Sequence, residues 1–344
     1  MKKRVNQKEI ALLAGVSPAT VSMAFTNHPS IPVSTRERVL SVAHKLGYVR
    51  DPMLSALAAY RTSRRPSSFQ GTIAWLFNSM GAFDWRLSTH FSDYYAGACR
   101  QAQPLGYQIE TFDANEERQS SKRLMSMFAA KNIRGILLCP QPAPQMKMEL
   151  PWENFSTTTF GYSLASPHLH TVSAAHYLAT QEVYRRLRAG GRKRIGLAIA
   201  RVSVERTNFN YLAAYLASQA PEQRADYIPP FLQYFPEIAL HPEPLSNFKD
   251  WMDDNKLDAI IAEDVRILKI LATLGKRVPD DIAVASPCLP KADTLMTGIV
   301  EDSVKIGGVA VDFLVAAIHR GETGIPESPQ RIHIEGKWNP GHTA

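Results

Sequence analysis

The stretch NQKEIALLAGVSPATVSMAFTN, residues 6–27, decides how the rest of the chain is read. It reads as two short helices broken by a glycine. Asn6 is placed as an N-cap, and Ile10, Leu13 and Ala14 follow at helical spacing. Gly15 stands where a left-handed residue ends the first helix at least cost. Ser17 suits the cap of the second helix and Pro18 its first turn, where no amide donor is needed. Val21 and Ala24 or Phe25 then return to the core. This is the sequence form of a helix-turn-helix, which puts the start of its second helix into the DNA major groove. On this pattern alone an ordinary pair of core helices stays open, because such short patterns recur by chance.

Charge weighs toward DNA. Residues 1–65 hold eleven Lys and Arg against three acids, Glu9, Glu37 and Asp51, and so carry +8. The other 279 residues sum to −1 within a total of +7. Basic charge confined to one terminal module is an electrostatic footprint for a polyanion. A membrane surface would require a broad apolar helix face beside those charges, and the apolar residues here are needed to close a small helical core.

Cys99, Cys139 and Cys288 are scattered without a C-x-x-C spacing and read as reduced thiols of a cytoplasmic protein. The start MKKR resembles the basic end of a signal peptide, but Gln7, Lys8 and Glu9 arrive where its apolar run belongs. No uninterrupted apolar run reaches the ~18 residues of a membrane span.

Further along, VSTRERVLSVAHKLGY gives a third helix with Val39, Val42, Ala43 and Leu46 on one face and Gly47 at its end. RDPMLSALAAYR is a short Ala/Leu-rich helix opening at Pro52, and TSRRPSS a polar linker. From Gly71 the texture changes to apolar strands alternating with amphipathic helices. TIAWLF, YQIETFD and GILLCP are strands of a first series; RIGLAIA, DAIIAE and IAVAS are strands of a second. ERTNFNYLAAYLASQ reads as one helix between two of them. Such alternation implies parallel sheets covered on both faces, and its length implies two lobes. Ligands of these sheets sit beyond the carboxyl ends of the strands, and two lobes offer a cleft between them.

LLAGVSPATVS, the TRERVLSVAHKLGY helix and the IAVAS strand after LGKRVPDDI resemble the LacI/GalR family of bacterial transcription repressors. The resemblance is strong over residues 5–48, clear over 256–285, and looser between. It implies an α/β chain: an all-α helix-turn-helix headpiece (1–49), a hinge helix and linker (50–70), and a two-lobed, periplasmic-binding-protein-like core with parallel sheets (71–344). Lobe 1 is expected at about 71–170 and 299–325, lobe 2 at about 171–298 and 326–344. It also implies a homodimer that binds pseudo-palindromic double-stranded operator DNA and answers to a small effector, such as a carbohydrate.

Carried over residue by residue, the resemblance puts Ser17, Pro18, Ala19, Thr20, Ser22 and Met23 at the recognition positions. Asn6 and Arg36 join them as expected DNA contacts. Pro18, Ala19 and Met23 occupy positions that differ between family members, and none can form a bidentate pair with guanine or adenine. Contact with thymine methyls and shape readout are therefore expected. Family members often have Arg where Met23 stands. Leu57, nine residues after Tyr48, falls where the family's hinge leucine wedges into a minor-groove step; its simpler role would be packing on its symmetry mate. The helix departs from the family in placing its proline at Pro52.

In the core, Asp264 matches the family aspartate that accepts effector hydroxyls, and Arg206 the effector-binding arginine, with the spacing to Tyr211 off by one. Helix capping and surface solvation are their plain alternatives. A second family aspartate is replaced by Ala175 beside His176, the Gly-Phe-Asp turn by PCLP, and the ending by EGKWNPGHT. Phe91 and Tyr94 on the first lobe, with Tyr234 or Phe235 on the second, are candidates to stack on a sugar ring, against ordinary core packing.

Enzyme signatures are missing from the sequence: no G-x-S-x-G, P-loop, H-E-x-x-H or dinucleotide G-x-G-x-x-G. His168 and His170 form an H-x-H without an identifiable third ligand, so neither metal nor cofactor is expected. The competing class is a stand-alone sugar-binding protein without a DNA role; the basic N-terminal module speaks against it.

Overall fold

The computed structural model describes residues 6–25, 31–48, 69–81, 83–115, 120–220, 227–233, 238, 241–292 and 294–344. The expected hinge helix with Leu57, and the aromatic pair Tyr234 and Phe235, lie outside the described residues.

The headpiece consists of α1 (Gln7–Ala14), α2 (Pro18–Phe25) and α3 (Val33–Lys45). Asn6 accepts the amides of Lys8 and Glu9 at 3.0 and 3.1 Å, and Glu9 reaches back to the Asn6 amide, a reciprocal cap. Gly15 ends α1 in the left-handed conformation, φ 62°. Ser17 Oγ accepts the Thr20 amide at 3.1 Å and so caps α2. Ile10, Val21 and Val39 are fully buried and lock the three helices together. One detail differs from the expected helical face. Leu13 is 62% exposed, and Ala11 takes the buried place beside Ile10 and Ala14. Against so small a core the inner face of α1 accepts alanines, and its two leucines point outward.

From Gly71 the first lobe runs β1 (Gly71–Phe77), α4 (Thr89–Ala102), β2 (Tyr107–Asp113), α5 (Ser121–Ala130), β3 (Gly135–Leu138), β4 (Met146–Lys147), β5 (Ser156–Phe160), β6 (Leu164–Ser166) and β7 (His170–Ala174). The second runs α6 (His176–Ala189), β8 (Ile195–Ala198), α7 (Arg201–Arg206), α8 (Asn210–Gln219), α9 (Pro242–Asp254), β9 (Ala259–Ala262), α10 (Ile267–Thr273), β10 (Ala283–Leu289) and β11 (Thr297–Val300). Then come α11 (Ser303–Arg320), β12 (Arg331–Ile334) and β13 (Lys337–Asn339).

Lobe 1 is a parallel six-stranded sheet in the order β12-β7-β5-β3-β1-β2. Alternate residues of β1 serve opposite layers, as the period of two demands. Ile73 and Trp75 pack under α4 and α11, and Ala74 and Leu76 under α5. Lobe 2 is a five-stranded sheet, β13-β11-β10-β9-β8, parallel except for β13. Its Ile261 and Ala285 face α6 and α8, whereas Ile260 and Val284 face α9 and α10. Both sheets are therefore covered on both faces.

The chain passes between the lobes three times, after Ala174, Val300 and Ile334. β7 and β12 stand in the first sheet, although the expected boundaries gave residues 171–174, most of β7, and all of 331–334 to lobe 2. Hydrogen bonding of β12 along β7 fixes both there. The single helix read over 205–219 is two, because Asn208 and Phe209 adopt left-handed φ of 50° and 61° and turn the chain between α7 and α8. No described helix is long and apolar enough to cross a membrane.

α4 and α11 cross at backbone contact. A Cβ on Gly307 would lie 1.9 Å from the Tyr94 carbonyl oxygen, and one on Gly97 2.0 Å from that of Val304. This close crossing holds His90, Phe91 and Tyr94, on the first turns of α4, over the start of α11.

Candidate functional site

At the headpiece, Ser17, Pro18 and Ala19 are exposed at the start of α2, and Thr20, Ser22 and Met23 are half-buried. Ser17 and Thr20 also share a side-chain hydrogen bond of 2.9 Å. Asn6 spends its side chain on capping α1, and Arg36 is half-buried on α3. Leu57 falls outside the described residues.

In the core, a cavity of about 540 Å3 opens between the lobes. All five cleft residues singled out from the sequence, Phe91, Tyr94, His176, Arg206 and Asp264, line it. Its far wall comes from residues just past the carboxyl ends of lobe 2 strands: Ala200 after β8, Glu263 and Asp264 after β9, Pro290 after β10, Glu301 after β11. That is where an open parallel sheet leaves a crevice.

Arg206, at the end of α7, crosses the cleft and donates from Nη1 to the lobe 1 carbonyls of Gln141 at 2.7 Å and Pro142 at 3.1 Å. Its guanidinium lies 5.8 Å from the Phe91 ring centre. Asp264 accepts the Arg266 amide at 2.9 Å and is clamped by the Arg266 guanidinium through both oxygens. Here the capping alternative and the cleft position hold together. Glu263 accepts the Ala200 amide at 2.8 Å, and its burial pushes the carboxyl above its ordinary range.

Sequence reasoning missed the centre of this wall. Glu301 is buried, with Oε2 at 3.2 Å from His90 Nδ1 and Oε1 at 3.7 Å from His176 Nε2. His90 Nδ1 is also 3.1 Å from Ser303 Oγ, and the Tyr211 ring sits edge-on to His176 at 5.1 Å. Burial alone would raise the Glu301 carboxyl, but the hydrogen bond and charge of His90, with His176 behind, hold it below its ordinary value. Burial works against a charged His90 too, and Glu301 outweighs it, so His90 titrates high. For His176 burial wins over the pull of Glu301, and the ring titrates low. One signal was available: an acid directly after an apolar strand, the position at which ligands of parallel sheets sit.

These shifts have opposite linkage signs. The raised His90 adds stability that is present below the unfolded histidine value of about 6.5 and is lost as pH rises through its folded value. The depressed His176 adds stability present above that value and lost as pH falls. An imidazole NMR titration of the full chain is expected to show His90 protonated at pH values where His176 is neutral. The reverse order would contradict this account of the wall.

Of the H-x-H pair, His168 is exposed, and His170 Nδ1 accepts the Gln330 amide at 3.0 Å with its ring 4.9 Å from that of Phe313. Among the described residues, no three His, Cys, Asp or Glu side chains gather as a metal site. Cys99, Cys139 and Cys288 are all free thiols.

Residues 7–51 match the family described as bacterial regulatory proteins, lacI family. The match is confined to the headpiece, which resembles that family. A relative from Bacillus subtilis (strain 168), the HTH-type transcriptional regulator YkvZ, is 26% identical over 208 residues, 60% of this chain and 60% of its own length. The chain also shares its fold with solved regulators. The transcriptional regulator CelR in complex with cellobiose superposes with a TM-score of 0.57 at 20% identity, over 99% of this chain and 100% of that one. A lac repressor dimer bound to operator and the anti-inducer ONPF gives 0.57 at 17% identity, over 99% of each chain.

Proposed function

We propose that this chain is a sequence-specific DNA-binding transcription regulator that acts as a repressor. It binds a pseudo-palindromic operator as a homodimer, and a small carbohydrate-like effector in the interlobe cleft sets its DNA affinity. The observation that carries this reading is the exposed start of α2, Ser17 to Ala19, on a headpiece that matches the lacI family within a +8 segment. The cavity of about 540 Å3 is the size of an ordinary small-ligand site, and a structural neighbour holds cellobiose.

Within this reading Ser17, Thr20 and Ser22 hydrogen-bond phosphate or base edges. Pro18, Ala19 and Met23 contact thymine methyls, since they lack the paired donors that read guanine. Leu57 wedges the duplex at the centre of the site. Asn6 and Arg36 contact the flanking backbone.

Selection of the full chain on random duplexes tests this. Enrichment of a two-fold site with thymines in each half is expected, and replacing those thymines by uracil should cost about 1–3 kcal/mol per position at most. A selection that enriches no sequence would remove the regulator reading.

A further inference from the structure

We infer that the end of lobe 2 remote from the cleft carries a second ligand site, built on Arg186 and Trp338, for a small phosphorylated or polyphosphate anion. The site depends neither on the effector reading of the cleft nor on the DNA reading of the headpiece.

The stretch RRLRAGGRKR, residues 185–194, holds six Lys and Arg and no acid, although residues 66–344 together sum to −1. The fold sets it apart from the cleft. α6 starts at His176, a cleft residue, and reaches Arg185 roughly 14 Å further along its axis, at 1.5 Å per residue. The chain then turns at Gly190 and Gly191 and enters β8 at Ile195, which runs back toward the cleft. The stretch therefore lies at the amino ends of the lobe 2 strands. A cavity of about 440 Å3 opens there, lined by Arg185, Arg186, Leu187, Arg192, Trp338 and Ala344. That volume falls within the ordinary range of small-ligand sites.

Its guanidinium groups are held in place for an anion. Glu182 accepts Nη2 and Nε of Arg185 at 2.8 and 2.9 Å, and Nε of Arg186 at 2.6 Å. The Arg186 guanidinium lies over Trp338, 4.4 Å from the ring centre. Glu182 at one edge and the indole across one face fix its plane, and Nη1 and Nη2 make no hydrogen bond among the described residues. Arg192 donates to the Pro279 carbonyl at 2.9 Å, which positions it without neutralising its charge. Three guanidinium groups against the Glu182 carboxylate leave a side-chain excess of +2. The open fork of Arg186 matches the paired oxygens of a phosphate. A phosphate monoester, with about −1.5 to −2 charge at pH 7, matches the excess as well. A monocarboxylate matches the fork alone.

The test uses the full chain with pyrophosphate as probe, at about 0.15 M salt, where long-range attraction is screened. Calorimetry is expected to show binding, and the Trp338 indole NMR signal, assigned with W338F, to shift as pyrophosphate is added. Arg186→Gln should weaken binding about 10- to 100-fold, the loss of hydrogen bonds to a charged group. Arg186→Lys, which keeps the charge without the fork, should not restore it. Arg185→Gln, a second variant should the first fail to fold, is expected to weaken binding in the same direction. Pyrophosphate binding that Arg186→Gln leaves unchanged would belong to the basic headpiece and overturn the site, as would an unmoved Trp338 signal or no binding. Displacement of pyrophosphate by acetate at equal ionic strength would overturn the ligand class.

Discussion

Removal of residues 1–65 is expected to leave a folded two-lobed core that has lost at least about 10^3-fold in affinity for its selected duplex, the lower end of the usual gap between specific and non-specific binding. The cause is separation of labour along the chain. The segment carries +8, the remainder −1, and Ile10, Val21 and Val39 close a hydrophobic cluster made only of headpiece residues. Among the described residues, none of the four core clusters of residues 71–344 draws on it. Fluorescence anisotropy reads the loss, and circular dichroism reads the retained core. The salt slope of binding should collapse as well, since counterion release belongs to the basic segment. A truncation that binds the duplex as tightly as the full chain would place DNA recognition elsewhere.

Gly307→Val is expected to cost about 3 kcal/mol or more, the top of the overpacking range. Its Cβ would lie 1.9 Å from the Tyr94 carbonyl oxygen and 2.9 Å from the Ala98 nitrogen. Those neighbours are backbone and cannot swing aside, so α11 must lift from α4. The neighbouring Gly308 is the control. Its Cβ would meet Gln101 at an ordinary 3.7 Å, and alanine is the better helix former by roughly 1 kcal/mol. Gly308→Ala should therefore be neutral or stabilising. For a core of this size the Gly307 loss corresponds to roughly 6–12 °C in Tm. Equal melting temperatures for both variants would contradict the close crossing.

Much of this arrangement was legible in the sequence because it follows strong local rules. Asn6 with Glu9, Gly15, and Ser17 before Pro18 mark helix ends through their own chemistry. The apolar runs TIAWLF and DAIIAE can only be buried strands. β5 was not legible: STTTF reads as polar, yet all five residues are buried. Ser156 and Thr159 are accommodated by donating to the carbonyls of Glu322 and Leu138, partners that no local pattern reveals. β12 and β13 were missed for a similar reason, since short strands at sheet edges alternate weakly.

The cleft divides in the same way. Phe91, Tyr94, His176, Arg206 and Asp264 were reached through family resemblance or aromatic character. Glu301 has no motif and gains its meaning only when α4 brings His90 to it and α6 brings His176. Arg206 lines the cavity as expected of a cleft residue, and its bonds to the Gln141 and Pro142 carbonyls, which join the two lobes, had no signal in the sequence.

The proposed function requires that the headpiece and the interlobe cleft be coupled. The most direct measurement is the affinity of the full chain for its selected duplex, by anisotropy, with and without a ligand that raises its melting temperature. A change of about 5- to 150-fold is expected, the usual size of an allosteric coupling. A ligand that stabilises the core yet leaves the duplex affinity unchanged would contradict it.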